Sequence, residues 1–99
     1  MKVVKHPPRP KAWLSPTYVK ADVMAIKALA AGNANEGQQK RALAFIINGA
    51  ASTYELSYRA ESDRETVFAE GRRFVGLQLI QFMNMSARML DKLESEDGR

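Results

Sequence analysis

The sequence predicts an all-α fold, a three-helix domain with a long amphipathic C-terminal helix and an extended, basic, proline-rich N-terminal arm. Three observations predict it. Apolar residues recur at intervals of three and four over most of the chain. Helix-start signatures stand directly before those runs, with Gly-Asn or Asn-Gly pairs near their ends. All four prolines fall within residues 1–16, outside every periodic stretch.

The arm, residues 1–16, comes first. Pro7, Pro8, Pro10 and Pro16 remove amide donors and hold this stretch in an extended, polyproline-like form. Lys2, Lys5, Arg9 and Lys11 supply the whole net charge of +4, because residues 12–99 carry eleven basic and eleven acidic side chains. These four cations are the candidate phosphate contacts, although a basic arm on a neutral body is weaker evidence for nucleic acid than a basic stripe on a folded face. Trp13 and Leu14 end the arm and predict that it docks, on its own domain or on a neighbouring subunit.

The remaining residues, 17–99, form one helical domain. Ser15-Pro16 predicts a helix start, and Val19, Val23, Ile26 and Ala30 align an apolar face over residues 17–31 before Gly32-Asn33 stops it. A second helix spans 35–50, with Asn35 at the cap and Gln38 in the reciprocal position. Its apolar residues are Ala42, Leu43, Ile46, Ile47 and Ala50, with Phe45 beside them, and Asn48-Gly49 marks its fraying end. Between 51 and 61 the period is lost. This stretch reads as an irregular continuation of the helix or an ordered loop whose tyrosines pack on the helices.

Ser62-Asp63-Arg64-Glu65 is a capping box ahead of Val67 and Phe68, so a third helix starts there. Phe68, Val75, Phe82 and Met89 recur every seven residues, with Leu79, Ser86 and Leu93 on the companion position. A helix over 63–93 would be on the order of 45 Å long at ~1.5 Å per residue. Two short helices cannot cover that length, so part of it projects or pairs with another chain. Met83, Met85 and Met89 make the distal half adaptable. The alternative is a break near Asn84 that folds the chain back.

The chemistry available to this chain is narrow. It has no cysteine, which excludes disulfides, thiolate metal sites and cysteine nucleophiles. Its single histidine, His6, lies in the arm, which argues against imidazole catalysis and multi-histidine metal sites. Glu61, Asp63 and Glu65 suit the start of a helix better than a metal site. Gly71 and Gly76 fit half of a phosphate-loop pattern, but Leu77 and Gln78 stand where lysine and a hydroxyl belong, and no strand precedes them. The expectation is a non-enzyme with no cofactor, metal or small-molecule substrate. No apolar run predicts a membrane span or a signal peptide.

What remains is a partner contact. Arg72 and Arg73 either form exposed ion pairs with Glu70 and Glu65, or meet an acidic protein surface or phosphate. Gly71 and Gly76 each cost about 1 kcal/mol inside a helix and imply close approach of another helix or chain. The candidate partner-binding residues are therefore Trp13, Gly71, Arg72, Arg73, Gly76, Phe82, Met83 and Met89.

Residues 65–79, ETVFAEGRRFVGLQL, resemble the signature of a small bacteriophage protein family, the Bbp-nineteen-like phage domain. The resemblance covers about residues 38–82, and Glu70, Gly71, Arg72, Arg73, Gly76 and Leu77 match it individually. It implies a non-enzymatic, phage-encoded protein of the host cytoplasm or the virion, while the heptad seam and the glycines predict that the partner is a second copy of the chain or another phage protein. Virion assembly, DNA packaging or ejection would be its setting. A nucleic-acid-binding phage protein and a small inhibitor of a host enzyme are the rival expectations.

Overall fold

The computed structural model describes residues 11–97, and these are helical throughout apart from turns and loops. Helix α1 is Lys20–Ala31, α2 is Glu36–Ala44, a π-helical segment follows at Phe45–Ala50, α3 is Asp63–Met83 and α4 is Ala87–Asp97. The all-α class holds, with four α-helices where three were expected. The residues that break the single long third helix are Asn84, Met85 and Ser86, which are not helical. Asn84 is the C-cap of α3, and Ser86 opens α4 by accepting the Met89 N–H on its Oγ at 3.2 Å.

The N-terminal boundary moves as well. Ser15 and Pro16 do not begin α1, because the chain stays non-helical through Val19. Valine offers no oxygen for capping, so the local work falls to Asp22, whose carboxylate accepts the Val19 N–H at 3.0 Å and pairs with Arg41 of α2 at 2.9 Å. Gly32 ends α1 as predicted, at φ 77°, where a side chain would be strained. The Asn33 N–H then bonds the Ala28 carbonyl and the Gly32 N–H bonds that of Leu29, which satisfies the last turn.

In α2 the predicted reciprocal cap is present in both directions, at 2.8 Å from Gln38 N to Asn35 Oδ1 and 3.1 Å from Asn35 N to Gln38 Oε1. The expected end near residue 50 is also correct. Its last six residues widen into a π-turn, in which the Ala51 N–H reaches back five residues to Ile46 at 2.8 Å.

Packing proceeds in chain order: α1 lies on α2, the π-segment continues from α2, and α3 lies on the π-segment. The buried apolar residues among those described are Ala12, Ala25, Ala42, Ile47, Ala51 and Ala69. Five of the six are alanines, so backbones approach closely but little apolar area is removed from water. Val19 and Val23, expected on the inner face of the first helix, are exposed while Ala25 is buried. The 51–61 stretch is an ordered loop, and its Tyr54 and Tyr58 are exposed rather than packed inward.

The chain is drawn out accordingly. Its radius of gyration is 18.1 Å and its extents are 67 × 33 × 22 Å, against about 13 Å expected for a compact chain of 100 residues. Helix α4 packs against none of the other elements to a comparable degree, so the break at Asn84 does not fold the chain back onto the domain.

The Val19 amide, reinforced by Arg41, holds the Asp22 carboxyl below its ordinary value of 3.8. The charged form is the one that the folded state favours, so its stabilisation is fully present above the unfolded value and is lost as pH falls through the lower folded one. A carbon-detected NMR titration should place the Asp22 midpoint below 3.8, and Arg41→Ala should move it upward.

A candidate interaction surface on α3 and α4

Two different faces of α3 organise the molecule. Glu65, Ala69, Arg72 and Gly76 follow one another at helical spacing and form the face turned to the rest of the chain. Phe68, Val75 and Phe82 lie about a quarter-turn round, at 3.6 residues per turn, and are exposed.

On the inner face, Arg72 acts as a fork with several tines. Its Nε donates to the Ala50 carbonyl at 2.9 Å, and Nη2 donates to the Gly49 carbonyl at 3.2 Å and to Ser52 Oγ at 3.0 Å. Its Nη1 donates to the Ala12 carbonyl. Gly49 and Ala50 end the π-segment, where carbonyls lack intrahelical partners and the helix dipole is negative, so a planar cation with five donors suits the position. Arg73 does similar work one residue on, donating from Nε to the Thr53 carbonyl at 2.9 Å, with Glu70 3.8 Å from its Nη1. The pair thus holds chiefly the protein's own backbone oxygens. Of the two acids expected to pair with them, Glu70 alone does so.

The chain gripped by these arginines turns sharply. Ser52 sits at φ 49°, an uncommon conformation for a residue with a side chain, and its Oγ donates back to the Gly49 carbonyl at 3.1 Å. Thr53 follows, fully buried, with its Oγ1 donating to the Ile47 carbonyl at 2.7 Å. It rests directly on Gly76. A Cβ at position 76 would overlap Thr53 Oγ1 and come within 2.9 Å of Thr53 Cβ and 3.0 Å of Ala51 Cβ. The close approach expected at Gly76 is therefore real, and the approaching segment is the chain's own 51–53 loop.

Glu65 completes the inner face. Ser62 Oγ accepts the Glu65 N–H at 3.1 Å, as a capping box requires. The return half is diverted, because the Glu65 carboxylate accepts the Ala12 N–H at 2.7 Å. Lys11 Nζ at 3.9 Å and Arg59 Nε at 3.8 Å offset the charge of this buried acid. Ala12 thus gives its N–H to Glu65 and its carbonyl to Arg72, and is itself only 1% exposed. The end of the arm docks on its own domain through this small residue and not by burying Trp13. Trp13 meets the Phe68 ring edge-on at 6.4 Å and stays 55% exposed, with Lys11 Nζ 5.9 Å from its ring. Residues 11–14 form a turn closed by the Leu14 N–H on the Lys11 carbonyl, not an extended strand. Lys2, Lys5 and Arg9 lie outside the described residues.

Glu65, Thr53 and Ala12 are the organising residues that sequence reasoning missed. The capping box marked Glu65, but a local motif cannot reveal an acceptor serving a residue 53 positions away. Gly76 was the one signal for Thr53, since a costly glycine inside a helix implies that something touches it.

On the outer side Phe68 has the edge of Trp13 against its ring, and further along α3 and α4 the large apolar residues lie open. Phe74, Val75, Leu77, Phe82 and Met83 of α3 and Met89, Leu90 and Leu93 of α4 are all exposed. Phe82 is 59% exposed. No charged residue occurs between positions 74 and 87. Gly71 lies on this outer side, and a Cβ there would meet nothing within 4 Å. Of the residues expected to meet a partner, the structure therefore places Gly71, Phe82, Met83 and Met89 on open surface, while Arg72 and Gly76 are engaged within the chain.

Between the arm turn, the π-segment and α3 lies a cleft of about 420 Å³, lined by Lys11, Pro16, Ser52, Arg59 and Arg72 among others. Its cations are engaged by Glu65 and by backbone oxygens. Among the described residues no group of three acidic or histidine side chains could hold a metal, and no helix is long and apolar enough to cross a membrane. No family model matches the chain, and no curated protein or solved structure matches it. The likeness of residues 38–82 to the phage domain is therefore an expectation from the sequence only.

Two glycine substitutions should have opposite signs. Gly76→Ala should destabilise by roughly 1–3 kcal/mol through overpacking on Thr53, whereas Gly71→Ala, with open space around it, should stabilise by up to ~1 kcal/mol. Urea unfolding of the two variants checks this. Arg72→Lys should cost roughly 0.5–1.5 kcal/mol, because an ammonium cannot reach all the part-buried and exposed oxygens that the guanidinium holds.

Proposed function

We propose that this chain is a non-catalytic bacteriophage accessory protein that acts by protein–protein contact, with the outer face of α3 and α4 as its contact surface. The observation that carries the reading is the set of large apolar side chains left exposed on α3 and α4, Phe74, Val75, Phe82 and Met83 on the one and Met89, Leu90 and Leu93 on the other. Exposed large apolar side chains gathered in this way mark interaction sites in soluble proteins. The domain behind it, with a core of alanines, serves as a mount that fixes α3 through Arg72 and Gly76.

The phage setting comes from the resemblance of residues 65–79, and places the protein in the host cytoplasm or the virion during assembly, packaging or ejection. The partner is then a second copy or another phage protein. The rival reading as a nucleic-acid binder has less support from the described residues. Arg72 is occupied by backbone oxygens, Lys11 stands beside Glu65, and the 74–87 surface has no cation, whereas phosphate binding needs free ones.

A photo-cross-linking amino acid at position 82, introduced into the phage-encoded chain and irradiated during infection, tests the reading. The expected products are covalent adducts with protein, resolved by mass spectrometry. Adducts to nucleic acid alone, or none, would retire a protein-contact role for this face. Recovery of the chain in purified particles would place that contact in the virion.

A further inference from the structure

We infer that the arm turn at residues 11–14 is a detachable strap, and that Glu65 is its latch, a carboxylate that holds the Ala12 amide when the strap is down and the Arg59 guanidinium when it is up. The starting point is an orphaned donor. Arg59 Nε is buried and has no hydrogen-bond partner, an arrangement that is rare in folded proteins and costs stability. Glu65 Oε1 stands 3.8 Å from it, about 1 Å beyond the ~2.8 Å of a charge-assisted hydrogen bond. That same oxygen accepts the Ala12 N–H at 2.7 Å. The docked arm thus keeps the carboxylate just out of reach of a buried donor that lacks an acceptor.

The turn is held in a way that lets it leave. Of its four residues only Ala12 is buried, and Trp13 and Leu14 are 55% and 54% exposed, so lifting it gives up little apolar burial. What breaks is the pair of backbone bonds at Ala12, to Glu65 and to Arg72, with the loose approach of Lys11 to Glu65 and the edge contact of Trp13. Segments held by so few contacts open locally, without the rest of the fold.

The domain left behind is complete. Arg72 keeps the Ala50 and Gly49 carbonyls and Ser52 Oγ, so the π-segment stays joined to α3. Arg59 is already anchored, because its Nη1 donates to the Leu56 carbonyl at 2.9 Å, and Glu65 needs only to close the last ångström. Each position of the strap therefore satisfies a group that the other leaves wanting, which makes the element bistable. Lifting the strap takes Trp13 off the Phe68 ring and removes the wall of the cleft formed by Lys11, Leu14 and Pro16. The strap is thereby a cover for the start of α3, whatever the exposed side chains further along that helix meet.

Native-state hydrogen exchange of the full chain, read by NMR, tests the latch. In the wild type the Ala12 amide should be protected at least about a hundredfold less than the amide of Ala42 in α2, through local opening. Arg59→Met removes the competing donor and should raise Ala12 protection at least about tenfold; if Arg59 served only to offset the Glu65 charge beneath a fixed arm, the same variant would lower it. Ala12→Leu, with no room for the larger side chain where alanine is 1% exposed, should lift the strap: the Arg59 Nε–H resonance moves downfield and exchanges more slowly, while the Ala25 and Ala42 amides stay protected. The latch is overturned if Ala12 exchanges only together with Ala42, or if Arg59→Met leaves Ala12 protection unchanged or lowers it. It is equally overturned if Ala12→Leu leaves the Arg59 resonance in place or unfolds the helices.

Discussion

The guanidinium of Arg72 is the interaction on which the rest of this structure depends. It meets the last carbonyls of the π-segment, the Ser52 hydroxyl and the Ala12 carbonyl at once. Three segments that share almost no apolar area are joined there. A core built of five alanines and one isoleucine contributes little burial, so charge-assisted hydrogen bonds to backbone oxygens carry an unusual share of the tertiary organisation. Lysine could supply the charge but not the planar fork.

Gly76 is the steric counterpart of that polar contact. Arg72 pulls the 49–53 turn toward α3, and the missing side chain four residues later lets Thr53 come to rest on the helix backbone. Each makes the other useful, since a side chain at 76 would push away the carbonyls that Arg72 and Arg73 hold. With this face of α3 committed to the turn and to the arm, the larger apolar residues of the helix are left facing out. The fully buried positions of this domain are mostly its small residues, while many of its large ones are half-buried or exposed.

That inversion explains where sequence reasoning succeeded and where it did not. The Asn35 and Ser62 caps, the Gly32 stop and the end of the second helix near residue 50 were legible because each is decided by side chains within about four positions of the backbone groups they satisfy. The break at Asn84 was legible only as an alternative, because the heptad spacing of Phe82 and Met89 persists across it. The heptad seam was also legible, but as a pattern without an address. Periodicity says which residues share a face and not whether the chain itself covers it.

For the candidate site the division is sharper. The sequence by itself determined that the chain is all-α, that it holds no cysteine and a single histidine, and that something unusual happens where Gly71, Arg72, Arg73 and Gly76 adjoin. Only the tertiary structure separated those four. Arg72 and Gly76 face inward to a turn some twenty residues earlier in the chain, Arg73 reaches Thr53, and Gly71 faces open space. The reason is geometric: successive helical residues point about 100° apart, so neighbours in sequence serve different surroundings. Which surroundings those are depends on contacts twenty to sixty residues distant in the chain, which no local pattern records.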